Sequence, residues 1–256
     1  MKIAVCIKQV VAREWPLRID QAGEWVRDAD ASFEMNEPDA YALEEGLRLK
    51  ERHGGEVIVC SAGPARVAQV LREGLARGAD RAIHVESDEL QAAEPAAVGQ
   101  ALAAALRPES CDLVLTGLQS DDLGFGQTGV VLASGLGVPH ATIIMEIAVA
   151  DGEIRVKREL EGGRFQWVSL PLPALLTIQS GINQLRYATL RGIMAARRKP
   201  VHTVAPETLA PAGQRIVRLY APEKDKRTRL FEGAPPAAAK DLVRALRDDA
   251  RVLGAR

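Results

Sequence analysis

The stretch Leu113-Val114-Leu115-Thr116-Gly117-Leu118-Gln119-Ser120-Asp121-Asp122-Leu123-Gly124-Phe125-Gly126-Gln127-Thr128-Gly129 decides how the chain is read. It opens with a run short enough to be one buried strand. A glycine-rich connection follows, and residues 130–136 then take up a helical pattern. A strand that feeds a helix through a glycine-bordered loop is the repeating unit of a parallel α/β sheet.

The same alternation holds on both sides. Buried-strand candidates fall at residues 3–7, 57–60, 82–85 and 142–149, with amphipathic helices between them. Asn36 is placed to cap the first helix, with Pro38 in its first turn, Asp39 at its third position and Ala40, Leu43 and Leu47 on one face. Pro64 opens a second helix that carries Val67, Val70, Leu71 and Leu75 and stops at Gly78. Pro95 opens a third, with Val98, Leu102, Ala105 and Leu106 inward. From residue 142 the character changes. Asp151-Gly152 is a hairpin signal, Ile154, Val156 and Leu160 alternate with polar residues, and Phe165 and Trp167 alternate again after Glu161-Gly162-Gly163. With residues 174–179 these segments read as antiparallel strands added to the parallel sheet.

Beyond residue 200 the periodicity fades and Pro200, Pro206, Pro211, Pro222, Pro235 and Pro236 accumulate, so this stretch cannot build a core of its own. A helical stripe returns only over residues 237–253, through Leu242, Val243, Leu246 and Leu253. The expected architecture is a Rossmann-like, mostly parallel sheet flanked by helices, with added antiparallel strands. It forms a nucleotide-binding α/β domain over residues 1–200, and an arm over 201–256 ends in a helix and needs a foreign surface to lie on.

Bulk properties narrow the function. A net charge of −1 leaves no electrostatic footprint for nucleic acid. No apolar run approaches the ~18–20 residues that span a bilayer, and the apolar run after Met1-Lys2 is too short for a signal peptide. Cys6, Cys60 and Cys111 are odd in number and lie on or beside strands, which fits reduced thiols and a cytoplasmic setting. Aromatics make up only 4% of the chain, which favours a reactive cofactor ring held mainly by another chain.

The glycine cluster is where chemistry is expected. Glycines let backbone N–H groups approach an anion, the following helix presents its positive end, and Gln127 and Thr128 can add side-chain bonds. Residues 124–129 satisfy G-x-G-x-x-G literally. The dinucleotide fingerprint, however, belongs directly after the strand, and here seven residues intervene, two of them acidic. A phosphate loop for a nucleotide is the better reading, ahead of a plain surface loop. Asp121 and Asp122 would repel phosphate and instead meet ribose hydroxyls or cap the helix, with both options open. Two further strand ends, Cys6-Ile7-Lys8 and Ser61-Ala62-Gly63-Pro64, converge on the same sheet edge, where small residues leave room for an adenine. His53, His84, His140 and His202 sit in contexts of helix end, strand, loop and arm, and no nucleophile elbow or P-loop lysine motif occurs. The basic run Arg197-Arg198-Lys199 reads as a solvated helix end. Leu190, on an expected loop between Thr189 and Arg191, suits a transient protein contact.

Several of these segments together resemble one family. Val156-Lys157-Arg158-Glu159-Leu160-Glu161-Gly162-Gly163, continuing to Leu172-Pro173-Ala174-Leu175-Leu176-Thr177, is similar to the signature of electron transfer flavoprotein β-subunits. Met35-Asn36-Glu37-Pro38, Cys60-Ser61-Ala62-Gly63-Pro64, Gly78-Ala79-Asp80-Arg81, Gly126-Gln127-Thr128-Gly129 and Arg186-Tyr187-Ala188-Thr189-Leu190 agree with it in order. The resemblance implies a heterodimer whose α-subunit carries a redox-active FAD, while this chain holds a structural AMP and has no catalytic site of its own. The implied AMP contacts are Cys6, Asn36, Glu37, Pro38, Asp39, Ala62 and residues 117–128. The implied docking segment for flavoprotein dehydrogenases comprises Tyr187, Ala188, Thr189, Leu190, Arg191, Ile193 and Met194. The arm would embrace the α-subunit, and an electron transfer flavoprotein–quinone oxidoreductase would be the acceptor. Between Gln119 and Gln127 the sequence departs from the family's run of three acidic residues. Electron-bifurcating relatives bind a second FAD in place of AMP, but the retained Gln127-Thr128-Gly129 favours AMP. Residues 177–183 look more like members that serve methylamine or N-methylglycine dehydrogenases. Rival readings are a stand-alone universal-stress-type nucleotide-binding protein, which needs no arm, and an ATP-cleaving ligase, whose phosphate loop Lys8-Gln9-Val10 does not supply.

Overall fold

A computed structural model describes the chain except for residues 151, 207–212, 215, 223–227 and 253–256. In chain order the first compact unit, Met1–Arg218, contains β1 (Lys2–Cys6), β2 (Gln9–Val11), β3 (Phe33–Met35), α1 (Glu37–His53), β4 (Glu56–Gly63), α2 (Ala68–Arg77), β5 (Arg81–Glu86) and α3 (Pro95–Leu106). There follow β6 (Leu113–Gly117), α4 (Thr128–Leu136), β7 (His140–Ala150), β8 (Glu153–Leu160), β9 (Arg164–Pro171), β10 (Ala174–Ile178), α5 (Leu190–Ala196) and β11 (Val201–Val204). The second unit, Leu219–Arg256, contains α6 (Pro235–Asp248).

The main sheet runs β11-β5-β4-β1-β6-β10-β7-β8-β9, and β2 and β3 pair separately as an antiparallel ribbon. Every pairing from β11 to β7 is parallel, and β8 and β9 add antiparallel strands. Alternation along the buried strands divides the core. Ile3 and Val5 face a cluster with Leu43, Leu47, Val70 and Leu71, while Ala4 and Cys6 face one with Leu102, Leu106 and Leu132. The sheet is therefore covered by α1 and α2 on one face and by α3 and α4 on the other.

Four expectations change. Residues 174–179 were grouped with the antiparallel strands, but β10 lies parallel between β6 and β7, because its continuous apolar run suits a strand buried on both faces. The sheet also extends past residue 200, since β11 pairs with β5. His202 lies within that strand and His140 begins β7, where arm and loop were expected. The final helix begins two residues earlier than expected and ends at Asp248, with Leu253 outside the described residues. Asp151 of the expected hairpin and Pro211 of the arm also lie outside them.

The passage from parallel to antiparallel sheet occurs in β7. Its register slips against β10 between Leu176 and Ile178, and Ile143 takes a φ of 61° there. A left-handed β-branched residue carries roughly 1–3 kcal/mol of strain. The Ile143 N–H is satisfied by Thr177 Oγ1 at 3.2 Å. Among the described residues, no helix is long and apolar enough to cross a membrane.

At the amino ends of the strands an ion-pair network ties the sheet together. Arg81 donates to Glu109 Oε1 at 2.8 Å and to Glu56 Oε1 at 2.7 Å, and Lys2 Nζ lies 2.8 Å from Glu109 Oε2. The Arg81 guanidinium, helped by Lys2, holds the Glu109 carboxyl down at about 2 against the opposing effect of burial. A folded-state value below the ordinary carboxylate range means that this stabilisation is complete above about pH 4.5 and is lost as pH falls toward 2. Urea unfolding of Glu109→Gln at pH 7 and pH 3 checks this. The variant is expected to be less stable at pH 7 and to lose less stability on acidification than the unaltered chain. An equal acid loss in both proteins would refute the assignment.

Candidate functional site

Brought together at the carboxyl ends of the strands are three chain segments that are far apart in sequence. From β1 the chain turns back into β4 and β5 on one side, and β6 begins the run to the other side, so β1 and β6 flank the topological switch point. That crevice is where open α/β sheets bind ligands. Here it is a cleft of about 800 Å³ including its open mouth.

The N-terminal turn of α1 closes one side. Both oxygens of the buried Asp39 carboxylate accept backbone N–H groups, from Lys8 at 2.7 Å and from Gly117 at 2.8 Å. Burial pushes this carboxyl up to about 7, against the backbone donors of Lys8 and Gly117 and the side chain of Asn36, which favour the ionised form. Asn36 stands at the N-cap position, but its side chain does not cap the helix. Instead its amide donates to Gln119 O at 3.0 Å and accepts from the Asp121 N–H at 2.9 Å. The expected cap is therefore a clamp on the glycine loop, because that loop offers it both a carbonyl and an amide.

The loop itself ends in α4. The first-turn amides of that helix have no carbonyl one turn earlier and form a positive end directed at the cleft wall. Close approach requires Gly129, where an added Cβ would lie 2.7 Å from both Thr116 Oγ1 and Thr177 Cγ2. Leu90, Ala93, Pro95, Val98 and Leu102 add an apolar wall to the cleft, and α3, which carries the last three, packs directly on α4. The cleft thus combines apolar side chains with the N-terminal residues of α4.

Of the residues expected at the site, Cys6, Asn36, Asp39, Ala62, Gly117, Gln119 and Ser120 line the cleft. Leu123, Phe125, Gly126, Gln127 and Thr128 line it from the loop. Glu37, Pro38, Asp121, Asp122 and Gly124 do not. Pro38 lies in the first turn of α1, Glu37 pairs with Arg13, and Asp121 lies 3.6 Å from the same guanidinium. Asp122 neither caps α4 nor stands free, since its carboxylate holds Lys8 Nζ at 2.6 Å. The Cys6 thiol is held well above its ordinary range by its hydrogen bond with Cys60 and by burial, which keeps it protonated. Lys8 lines the cleft at the strand end expected to reach it, whereas the α3 residues of the apolar wall were not expected. The Pro95 helix start and its position after a strand could have signalled the latter.

The segment expected to dock a partner lies elsewhere. Leu190 is the first residue of α5 and not a loop residue, and Thr189 caps that helix by accepting the Gly192 N–H at 3.0 Å. Leu190 and Met194, four apart, share the outer face with exposures of 83% and 71%, and Tyr187 stands beside them at 88%. Arg191 is exposed as well, Ala188 is partly buried, and Ile193 is nearly half exposed. On the inner face an added Cβ at Gly192 would lie 2.3 Å from Ala76 O, so α5 rests directly on α2. The basic run behind it is not simply solvated, because Lys199 Nζ donates to the carbonyls of Leu75 and Ala79 at the end of α2.

Comparison with known proteins places these features in a family. The electron transfer flavoprotein domain matches residues 25–209. The electron transfer flavoprotein subunit beta of Methylophilus methylotrophus is 37% identical over 97% of this chain and 98% of that protein. The corresponding subunit of Bradyrhizobium diazoefficiens is 37% identical over 99% and 100%, and the human one 32% identical over 98% and 99%. End-to-end similarity at this level, on a mostly parallel sheet with a cleft at its switch point, means that the chain belongs to the electron transfer flavoprotein β-subunits.

Proposed function

We propose that this β-subunit holds one AMP as a structural ligand, supports an α-subunit that carries FAD, and presents α5 to flavoprotein dehydrogenases. Electrons taken from these donors pass on toward the quinone pool through an electron transfer flavoprotein–quinone oxidoreductase. The observation that carries the reading is the cleft at the switch point, lined by both apolar side chains and the first residues of α4. Gln127, Thr128 and the helix amides would hold the phosphate, and Ala62 and the apolar wall would receive the adenine. The FAD supplies the redox chemistry on the partner subunit. This chain orients that subunit and its donor. The second unit supports the α-subunit contact, because Leu242 and Val243 of α6 and the neighbouring Leu230 are exposed apolar residues.

Co-purification with the α-subunit tests the whole reading. A yellow 1:1 complex that releases FAD and AMP on denaturation is expected. Release of FAD alone at twice the complement would favour the bifurcating alternative, and a nucleotide-loaded β-homodimer without an α-subunit would favour the universal-stress type.

Two substitutions test the parts. Asn36→Ala removes both ties to the 119–121 loop, and at about 0.5–1.5 kcal/mol each it should weaken AMP retention roughly five- to hundredfold. Undiminished AMP content after extensive dialysis would count against the site. Leu190→Ala removes an anchor worth about 1.5–3 kcal/mol, so the donor concentration for half-maximal flavin reduction should rise roughly ten- to hundredfold with flavin content and melting unchanged. Unaltered donor kinetics would refute the anchor.

A further inference from the structure

The docking segment is preceded by residues that form neither helix nor strand, yet they are tied firmly to α1. Asn183 Nδ2 donates to Tyr41 O at 3.1 Å and to Glu45 Oε2 at 3.2 Å, and Arg48 Nη2 donates to Gln184 O at 3.2 Å. Arg186 makes the densest connection. Its backbone N–H and Nε donate to Glu44 Oε2 at 3.2 and 2.7 Å, and Nη2 donates to Glu44 Oε1 at 3.1 Å. On its other edge Nη1 and Nη2 donate to Glu51 at 2.6 and 3.2 Å. Glu44 is only 4% exposed and also accepts from Arg48 Nε at 2.8 Å, so its charge is fully committed. The guanidinium holds both carboxyls below their ordinary range. A planar fork between two carboxylates fixes direction as well as distance, which a lysine could not do.

We infer that Arg186 is a positioning residue for donor docking: clamped by Glu44 and Glu51 of α1, it fixes the entry of the chain into Tyr187–Leu190 and so sets where the exposed face of α5 points. At the other end the same helix is seated on α2 by Gly192, and Arg72 holds its last turn through Ala196 O at 2.7 Å. The exposed residues thus sit on a segment pinned at both ends, and little ordering remains to be done when a donor arrives. Binding that requires no further ordering of a loop loses less affinity to entropy. The inference rests on the reading of α5 as the docking helix.

The test uses the complete αβ complex with an N-methylglycine-oxidising flavoprotein dehydrogenase reduced by N-methylglycine. Arg186→Ala, Arg186→Lys, Glu51→Gln and Leu190→Ala are compared by amide hydrogen exchange of residues 187–193, donor KM, kcat and AMP content. Arg186→Ala should speed exchange of that segment and raise the donor KM about tenfold, with kcat and AMP content unchanged, as expected from the loss of several charge-assisted bonds. Arg186→Lys should recover part of the loss. Glu51→Gln, at a half-exposed position, should raise KM only about two- to threefold. These two milder variants carry the test if Arg186→Ala does not fold. Unchanged exchange in the Arg186 variants overturns the proposal, as does faster exchange with an unchanged KM while Leu190→Ala raises it. If Leu190→Ala itself leaves KM unchanged, the docking reading fails and the positioning role falls with it.

Discussion

The buried carboxylate of Asp39 joins the two strand ends between which the sheet changes direction. One oxygen takes the Lys8 N–H beyond β1 and the other takes the Gly117 N–H at the end of β6. Without such an acceptor these two backbone donors would face the interior unpaired, at a cost of roughly 1–3 kcal/mol each. Desolvation opposes the arrangement, as the upward displacement of this carboxyl to about 7 records. Its place in the first turn of α1, where the helix dipole favours negative charge, offsets part of that opposition. The carboxyl therefore determines where the strand ends stop and where a cleft can open between them. Asn36, three residues earlier, extends the same control to the glycine loop.

Helix α1 carries this order further. Its first turn sets the cleft through Asn36 and Asp39, and its later turns hold residues 183–186 through Tyr41, Glu44, Glu45 and Glu51. On the same helix Leu43 and Leu47 pack into the core, so it cannot shift without disturbing the sheet face it covers. A helix rises about 1.5 Å per residue, which makes the spacing from the cleft to residues 183–186 a property of one rigid element. Such a construction suits a protein whose partners must be held at a set distance.

The parallel core was legible in the sequence because its signals are local: short apolar runs, Pro at helix starts and Gly at helix ends correspond to β1, β4, β5, β6, α2 and α3. The order of β10 was not, because a continuous apolar run records burial on both faces and says nothing of strand direction. The three-residue strands β2 and β3 and the edge strand β11 were also missed, being too short to show a period. At the cleft, glycines and small residues pointed to the correct strand ends. The use of Asn36 as a clamp and the Lys8–Asp122 pair depend on which groups tertiary structure brings within reach, and no spacing encodes that. The same limit hid the Arg186 clamp, whose partners lie 142 and 135 positions away.

The titratable groups that line the cleft show how its chemistry is allocated. Asp39 has each oxygen engaged by a backbone donor, so its carboxylate serves the strand ends. Cys6 is kept as a thiol, the form that is neither nucleophile nor metal ligand. Lys8 spends its charge on Asp122. The other polar groups of the lining are backbone amides and the uncharged side chains of Thr116, Gln119, Ser120, Gln127 and Thr128, beside the apolar wall. Electron transfer between flavins asks the intervening protein for distance and orientation, not acid–base groups. A site braced by the first turn of α1 through Asn36 and Asp39 is consistent with that demand.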